Sequence, residues 1–356
     1  MHRTSRITNA QALLASFPLS ESEQAIMRAR IANAFTTGNP AGLNGAMGFD
    51  INVFEQITAK SYDVKLPEIL WSKTIPGASI DTSINVGARI ASYRVKDRRG
   101  MGAFRATVGK DIPTVGVTMN KVSVPLESAA VSGTVDIDDL RAVAMGFEGM
   151  NLITELGAAM REASERHIER VFFYGFSSLG FAGYLDYSLT PATTAATKAA
   201  TGTTWAVATP DEIIKDVNAA LSLVFTNSKG LFNAGRVELP TAQYAQIAGM
   251  RINGTSGNGV NETVLSFLKK NNIYTQTTGQ ELEIVHLRYL EGAGSGGTNR
   301  MIVSENKAEN HWLPMPEAFN MLPPMDRQLA TDLTAIYKFG SYHRPYPTSA
   351  KMMDGI

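Results

Sequence analysis

Cysteine is absent from the 356-residue chain, which removes disulfides, thiolate nucleophiles and cysteine-ligated zinc from consideration. Histidine is scarce: His2, His167, His286, His311 and His343 are the only five, and no two have metal-ligand spacing. Net charge is lacking too, with 33 basic residues against 33 acidic ones, so neither a dedicated nucleic-acid binder nor a membrane-surface protein is indicated. No apolar run approaches the roughly 18 residues of a spanning helix. The amino end, MHRTSRITNAQ, lacks the apolar stretch of a signal peptide, so the protein is expected to begin in the cytoplasm. Two glycine-rich stretches, GTSGNG (254–259) and GAGSGG (292–297), lack the Lys-Ser/Thr of a phosphate-binding loop and read as mobile surface loops. No nucleophile-elbow motif is present, and no cofactor is implied.

What is present is length enough for a large core and more than one lobe. The longest organised stretch runs from Asp136 to Gly175. Apolar side chains recur at Leu140, Val143, Phe147, Met150, Ile153, Leu156, Met160, Ala163 and Val171, a spacing that lays one stripe along a helix. Gly146 and Gly149 each cost about 1 kcal/mol in a helix interior. The pattern therefore predicts a short helix over about 137–144, a break, and a long helix over about 150–173 capped by Gly175. The opposite face is charged and holds no site.

Before this helix, residues 1–60 read as an arm that buries little of itself. It carries one helix over about 21–35, started by the capping box of Ser20 and Glu23. Ser83–Val95 and Thr114–Leu126 read as paired strands whose connection is too long and polar for a tight turn. Between Val86 and Asp111 lie seven basic residues (Arg89, Arg94, Lys96, Arg98, Arg99, Arg105, Lys110) against Asp97 and Asp111. From Asp136 to Arg170 the balance reverses, with eight acidic residues against four basic ones. The basic excursion and the acidic helix are therefore expected to meet, with Arg94, Lys96, Arg98, Arg99, Arg105 and Lys110 facing Glu155, Glu162, Glu165 and Glu169, within one chain or between neighbours. Nothing local marks an asparagine or a base as isopeptide partner for Lys96 or Lys110, so both read as solvated or ion-paired.

Past the helix, residues 189–208 read as a loop with an edge strand. Thr209, Pro210 and Glu212 then open a helix buried through Ile213, Ile214, Val217, Leu221 and Val224. Arg236–Leu239, Glu281–Leu290, Met301–Ser304 and Leu333–Tyr342 read as strands. Pro240–Ala248 and Asn261–Lys270 read as helices, the second capped by Asn261. The class is α+β.

Two stretches carry a resemblance. One is Y-G-x-x-x-x-G-x-x-G-Y-L-D at Tyr174–Asp186. The other is the carboxyl end, where AIYKFG is followed by R-P-Y-P-T-S-A and a closing Gly-Ile. In this order of parts the chain resembles the major capsid proteins of tailed bacteriophages, which share the Hong-Kong-97-type shell fold. The resemblance implies an N-terminal arm (1–60), an extended β-loop (83–124), and a peripheral domain (61–82, 125–184 and 300–346) with a spine helix over about 150–173. It also implies an axial domain (185–299 and 347–356) whose glycine loops lie near the capsomer axis. It further implies a structural protein, not an enzyme, that self-assembles into hexamers and pentamers of an icosahedral virion head enclosing double-stranded DNA. Portal and scaffolding or decoration proteins would be its partners, with no membrane involved. No long helical segment precedes the arm, so scaffolding is expected to be a separate protein or absent. An encapsulin-like nanocompartment shell would share the fold, and an unrecognised hydrolase would instead need a ligand-sized cleft.

Overall fold

The structure, a computed structural model, describes residues 65–102, 114–146, 152–199, 202–252 and 262–356, and for 142–146 the backbone alone. The chain divides into two units, Met1–Pro67 and Glu68–Ile356, and every element named here belongs to the second. The arm with its helix over about 21–35, Arg105, Lys110, the helix break expected around Gly149, the GTSGNG loop and Asn261 lie outside the described residues.

Chain order begins with a short helix α1 (Trp71–Thr74) and strands β1 (Ile80–Asp81), β2 (Ile90–Arg99) and β3 (Gly116–Asp136). Helices α2 (Ile137–Gly146) and α3 (Leu152–Tyr174) come next, then β4 (Ala192–Thr194), α4 (Pro210–Asn227) and β5 (Arg236–Leu239). After these are α5 (Thr241–Gly249), α6 (Val264–Lys270), α7 (Ile273–Thr278), β6 (Glu283–His286) and β7 (Arg300–Ser304). Strands β8 (Leu313–Pro314), β9 (Glu317–Met321), β10 (Met325–Arg327), β11 (Ala330–Gly340) and β12 (Ala350–Asp354) complete the fold.

The strands form two five-stranded sheets and a small β1–β8 pair. One large sheet runs β10–β11–β3–β2 with β9 also on β11, and the other runs β4–β12–β7–β5–β6. β3 is 21 residues long and continues to Asp136, where the sequence pattern alone indicates an end at Leu126. Its first half pairs with β2 from Ile90↔Pro125 to Arg99↔Gly116, and its second half with β11 from Leu126↔Gly340 to Asp136↔Ala330. β2 starts later than Ser83 because residues 83–88 form turns: the Asp81 carboxylate accepts from Ser83 N and Oγ, and Asn85 Oδ1 accepts from Gly87 N at 2.8 Å. Those side chains capture the backbone groups that a ladder would need.

Helix α3 lies on β3 and β11. Its buried side chains are Met160, Ser164, Ile168, Glu169, Val171, Phe172 and Phe173. The stripe drawn from apolar spacing is displaced from this face, since Ile153 is 39% exposed and Ala163 is exposed. The reason is that coverage grows towards the carboxyl end, where Phe172 and Phe173 pack against Tyr184, Tyr289 and Tyr342. Glu169 is also buried: it accepts from Arg288 Nη2 at 3.0 and 3.1 Å and from the Leu70 backbone N–H at 2.7 Å. A buried carboxylate needs this kind of pairing. His167 Nδ1 shares a hydrogen bond with the Tyr337 hydroxyl at 2.7 Å.

The Tyr174–Asp186 motif turns the chain at the end of α3. Gly175 has φ +71°, and a Cβ there would collide with the Phe181 carbonyl oxygen. A Cβ on Gly183 would collide with Gly175 N and Phe173 O. The two glycines let the turn fold back on the helix end, where Tyr184 N donates to Phe172 O at 2.7 Å.

The second sheet is covered by α4, whose start carries the full capping box of Thr209 and Glu212. Ile213, Val217, Leu221 and Val224 are buried there, with Ile214 packed at the margin. Lys198 pairs with Asp216 inside this core, and Asp216 also accepts from Trp205 Nε1 at 2.9 Å. Helix α6 begins at Val264 with Thr263 as cap, later than the Asn261 expected from sequence. Its approach is extended, because Val264 N donates to Met250 O and Ile252 N to Glu262 O. β7 is buried throughout and pairs with both β12 and β5, so Arg300–Ser304 joins this sheet and not the one formed by β3 and β11.

The GAGSGG stretch is tied down, not loose: Gly294 N donates to Thr298 O, Gly292 N to Asn299 Oδ1, and Ser295 N to Asp354 Oδ2 at 3.0 Å. Asp354 also accepts from Arg300 at 2.6 and 3.1 Å and from the Tyr187 hydroxyl at 2.7 Å.

Between the two large sheets lies a buried polar group. Tyr184 OH donates to Glu238 at 3.0 Å, and His311 Nδ1 meets Tyr342 OH at 2.8 Å. The Arg344 guanidinium sits 5.5 Å over the Tyr184 ring. Burial pushes the Tyr342 phenol up to about 12. Burial, reinforced by Arg344 and Arg236, drives His311 from its ordinary 6.5 down to about 2.

This packing sets three measurable outcomes. Gly175→Ala and Gly183→Ala should each lower stability by at least about 2 kcal/mol, read as a shift in denaturation midpoint. Glu169→Gln should cost about 3 kcal/mol by leaving Arg288 without its anion, whereas Glu155→Gln should stay within about 0.5 kcal/mol. Below its ordinary 6.5 the unfolded chain takes up a proton at His311 that the fold refuses, so stability falls as pH drops from 6.5 towards 2. The slope from this residue is about 1.4 kcal/mol per pH unit, and His311→Gln should flatten that limb of the pH–stability curve.

Candidate assembly surface

β2 and the first half of β3 form a two-stranded ribbon. Its outer positions have no core of their own: Val95, Met101, Val115, Val117 and Met119 are 40–80% exposed. Side chains alternate between faces along a strand, and residues opposite each other in the ladder share a face. The pairs Arg94↔Lys121, Lys96↔Met119 and Arg98↔Val117 therefore put four cations on one face. All four are exposed, and among the described residues none forms an ion pair. Arg99 lies on the opposite face and pairs with Asp97 at 2.7 Å.

The expected acidic counterpart on the long helix is mostly occupied. Glu162 pairs with Arg166 at 2.7 Å and Glu165 with Arg161 at 3.1 Å, both one turn apart. Glu169 is buried on Arg288 and cannot meet a ribbon from another copy. Glu155 alone of the four is exposed without an ion pair among the described residues.

A second acidic region lies where β3 ends. Asp136 closes the strand, Asp138 and Asp139 open α2, and Asp326 and Asp332 stand on the adjacent β10–β11 hairpin. Arg141 is taken by Asp138 and Arg327 by Asp332, each at 3.2 Å. Asp136, Asp139 and Asp326 have no cation partner among the described residues. Met325 and Leu329, both 69% exposed, lie on this hairpin. Lys121 does not stand out in the linear charge count, and strand register is what adds Asp326 and Asp332 to the acidic run that begins at Asp136.

Among the described residues no three His, Asp or Glu side chains gather to hold a metal ion, and no helix is long and apolar enough to cross a membrane. One cleft of about 520 Å³ contains Glu305, which pairs with Lys307 at 2.8 Å, and Arg236, which bonds outward to the Lys73 carbonyl.

A comparison with curated proteins finds no match. Among solved structures the fold is similar to the capsid of Myoviridae phage XM1, with a TM-score of 0.69 at 13% identity over 86% of this chain and 99% of that one. It is also similar to the capsid of a native GTA particle, with a TM-score of 0.55 at 12% identity over 84% of this chain and 94% of that one. A chain from Mycobacterium phage Ogopogo matches with a TM-score of 0.54 at 11% identity, over 87% of this chain and 98% of that one. At such identities the likeness is one of fold, and the fold is the α+β shell fold of tailed-phage capsids. The profile of the major capsid protein family matches residues 103–356, most of the chain, and this protein belongs to that family.

Proposed function

We propose that this chain builds the head of a tailed phage: its copies form hexamers and pentamers that close an icosahedral shell around double-stranded DNA. The observation that carries the reading is the ribbon, which projects exposed apolar side chains and unpaired cations that its own chain leaves uncovered among the described residues. Neighbouring copies supply that cover, and a closed symmetric assembly is the usual way of doing so. The sheet under α3 would be the peripheral domain, the sheet under α4 the axial domain, and the ribbon the extended loop. DNA is enclosed without sequence-specific contact, consistent with a chain of zero net charge. Portal and scaffolding or decoration proteins complete the head. The protein resides in the virion and is assembled in the host cytoplasm.

Electron microscopy of the purified full-length protein, with analysis of particle contents from infected cells, tests this. Closed particles of megadalton mass containing DNA are expected. A stable monomer or small oligomer under all assembly conditions would overturn the reading, and so would particles filled with a protein cargo.

A further inference from the structure

Helix α4 holds a lysine amine against a carboxyl group inside a dry core. The Lys198 side chain is 1% exposed and that of Asp216 4%. Ile213, Val217 and Ala220, which share the buried face of α4 with Asp216, are fully enclosed, and so is Trp205. An ammonium carries three N–H donors, yet among the described residues Lys198 Nζ donates to Asp216 Oδ2 alone. An enclosed cation satisfied this sparsely leaves much of its desolvation cost standing.

The two groups are held in place from both sides. Asp216 sits in the middle of α4, and its Oδ2 also accepts from Trp205 Nε1 at 2.9 Å. Lys198 N donates to Gly202 O at 2.7 Å, and the next N–H, that of Ala199, donates to Glu212 Oε1 at 2.7 Å. Glu212 stands one helical turn before Asp216, so it is a positioning residue that fastens the lysine's segment beside the carboxyl group. Such fixed contact gives the amine an effective concentration beyond any reached between free molecules.

We propose that Lys198 and Asp216 condense into an amide, an isopeptide bond within one chain that ties the loop bearing Trp205 to helix α4. In the ion pair, one proton passes from the ammonium to the carboxylate, giving a neutral amine and a carboxylic acid. The Nζ lone pair then adds to the carboxyl carbon, forming the C–N bond. Negative charge develops on Oδ2, where the Trp205 N–H already points. The C–Oδ1 bond breaks, and that oxygen leaves as water with the acid proton and one more from Nζ. No oxidant or cofactor is consumed. Two charges leave the core, and the remaining oxygen keeps its bond to Trp205. The inference is independent of the shell reading, because the bond lies inside each copy and forms whether or not particles do.

Mass spectrometry of the full-length protein, incubated folded and then denatured, tests it. The intact mass should fall below that of the sequence by one water. Trypsin should fail to cut after Lys198 and should release that peptide joined to the one beginning at Asp216. Chain denatured immediately after synthesis should keep the full mass. Lys198→Arg retains the cation and should also keep the full mass, with circular dichroism confirming its fold. Trp205→Phe, which keeps a ring but loses the N–H, should slow joining about a hundredfold. Full mass in the incubated wild type, with normal cleavage after Lys198, overturns the proposal. Loss of water with Lys198 still cleavable, the mark of a succinimide, overturns it as well.

Discussion

The register of β3 is the constraint on which the rest depends. One strand serves two ladders, pairing with β2 along its first half and β11 along its second. Because side chains alternate with a period of two, a slip of one residue in either ladder would turn every side chain to the other face. The second half is held by burial, since Val135, Leu333 and Ala335 are each at most 3% exposed. The outer ribbon has no such core, so its register is inherited from the anchored half through continuous chain. That continuity lets an uncovered ribbon hold four cations on one face.

A contrast between satisfied and unsatisfied charge runs through the molecule. Buried carboxylates have their counter-ions in the same chain: Glu169 with Arg288, Asp216 with Lys198, Glu238 with Arg236, Glu305 with Lys307 and Asp354 with Arg300. A buried ion without a partner costs several kcal/mol, and each of these pairs offsets that cost for its carboxylate. On the cationic face of the ribbon, and at Asp136, Asp139 and Asp326 by the end of β3, the charges are exposed and without ion pairs among the described residues, which costs little in water. The long helix balances part of its charge along its own surface through i, i+4 pairs.

The turn after α3 illustrates a different kind of requirement. There the backbone folds back within contact distance of the helix end, and the demand falls on glycine as the absence of a side chain. The aromatic residues around it, Phe172, Phe173 and Tyr184, then close the core over the turn. The motif is thus accounted for by packing, without any site chemistry.

Much of this was legible from residues alone. The capping box at Thr209, the strand Arg236–Leu239 and Gly175 as cap follow from local rules: hydrogen-bonding side chains, period and permitted φ. The excess of cations on the excursion was also countable. Three things were decided only by tertiary structure. The extension of β3 to Asp136 depends on β11, distant in sequence, supplying its ladder. The sheet that receives β7 depends on which core covers it. The sorting of Arg94, Lys96, Arg98 and Lys121 onto one face depends on a register that composition does not encode. Local chemistry determines where elements start, stop and turn, whereas which surfaces face each other is a non-local matter settled by burial and pairing across the whole chain.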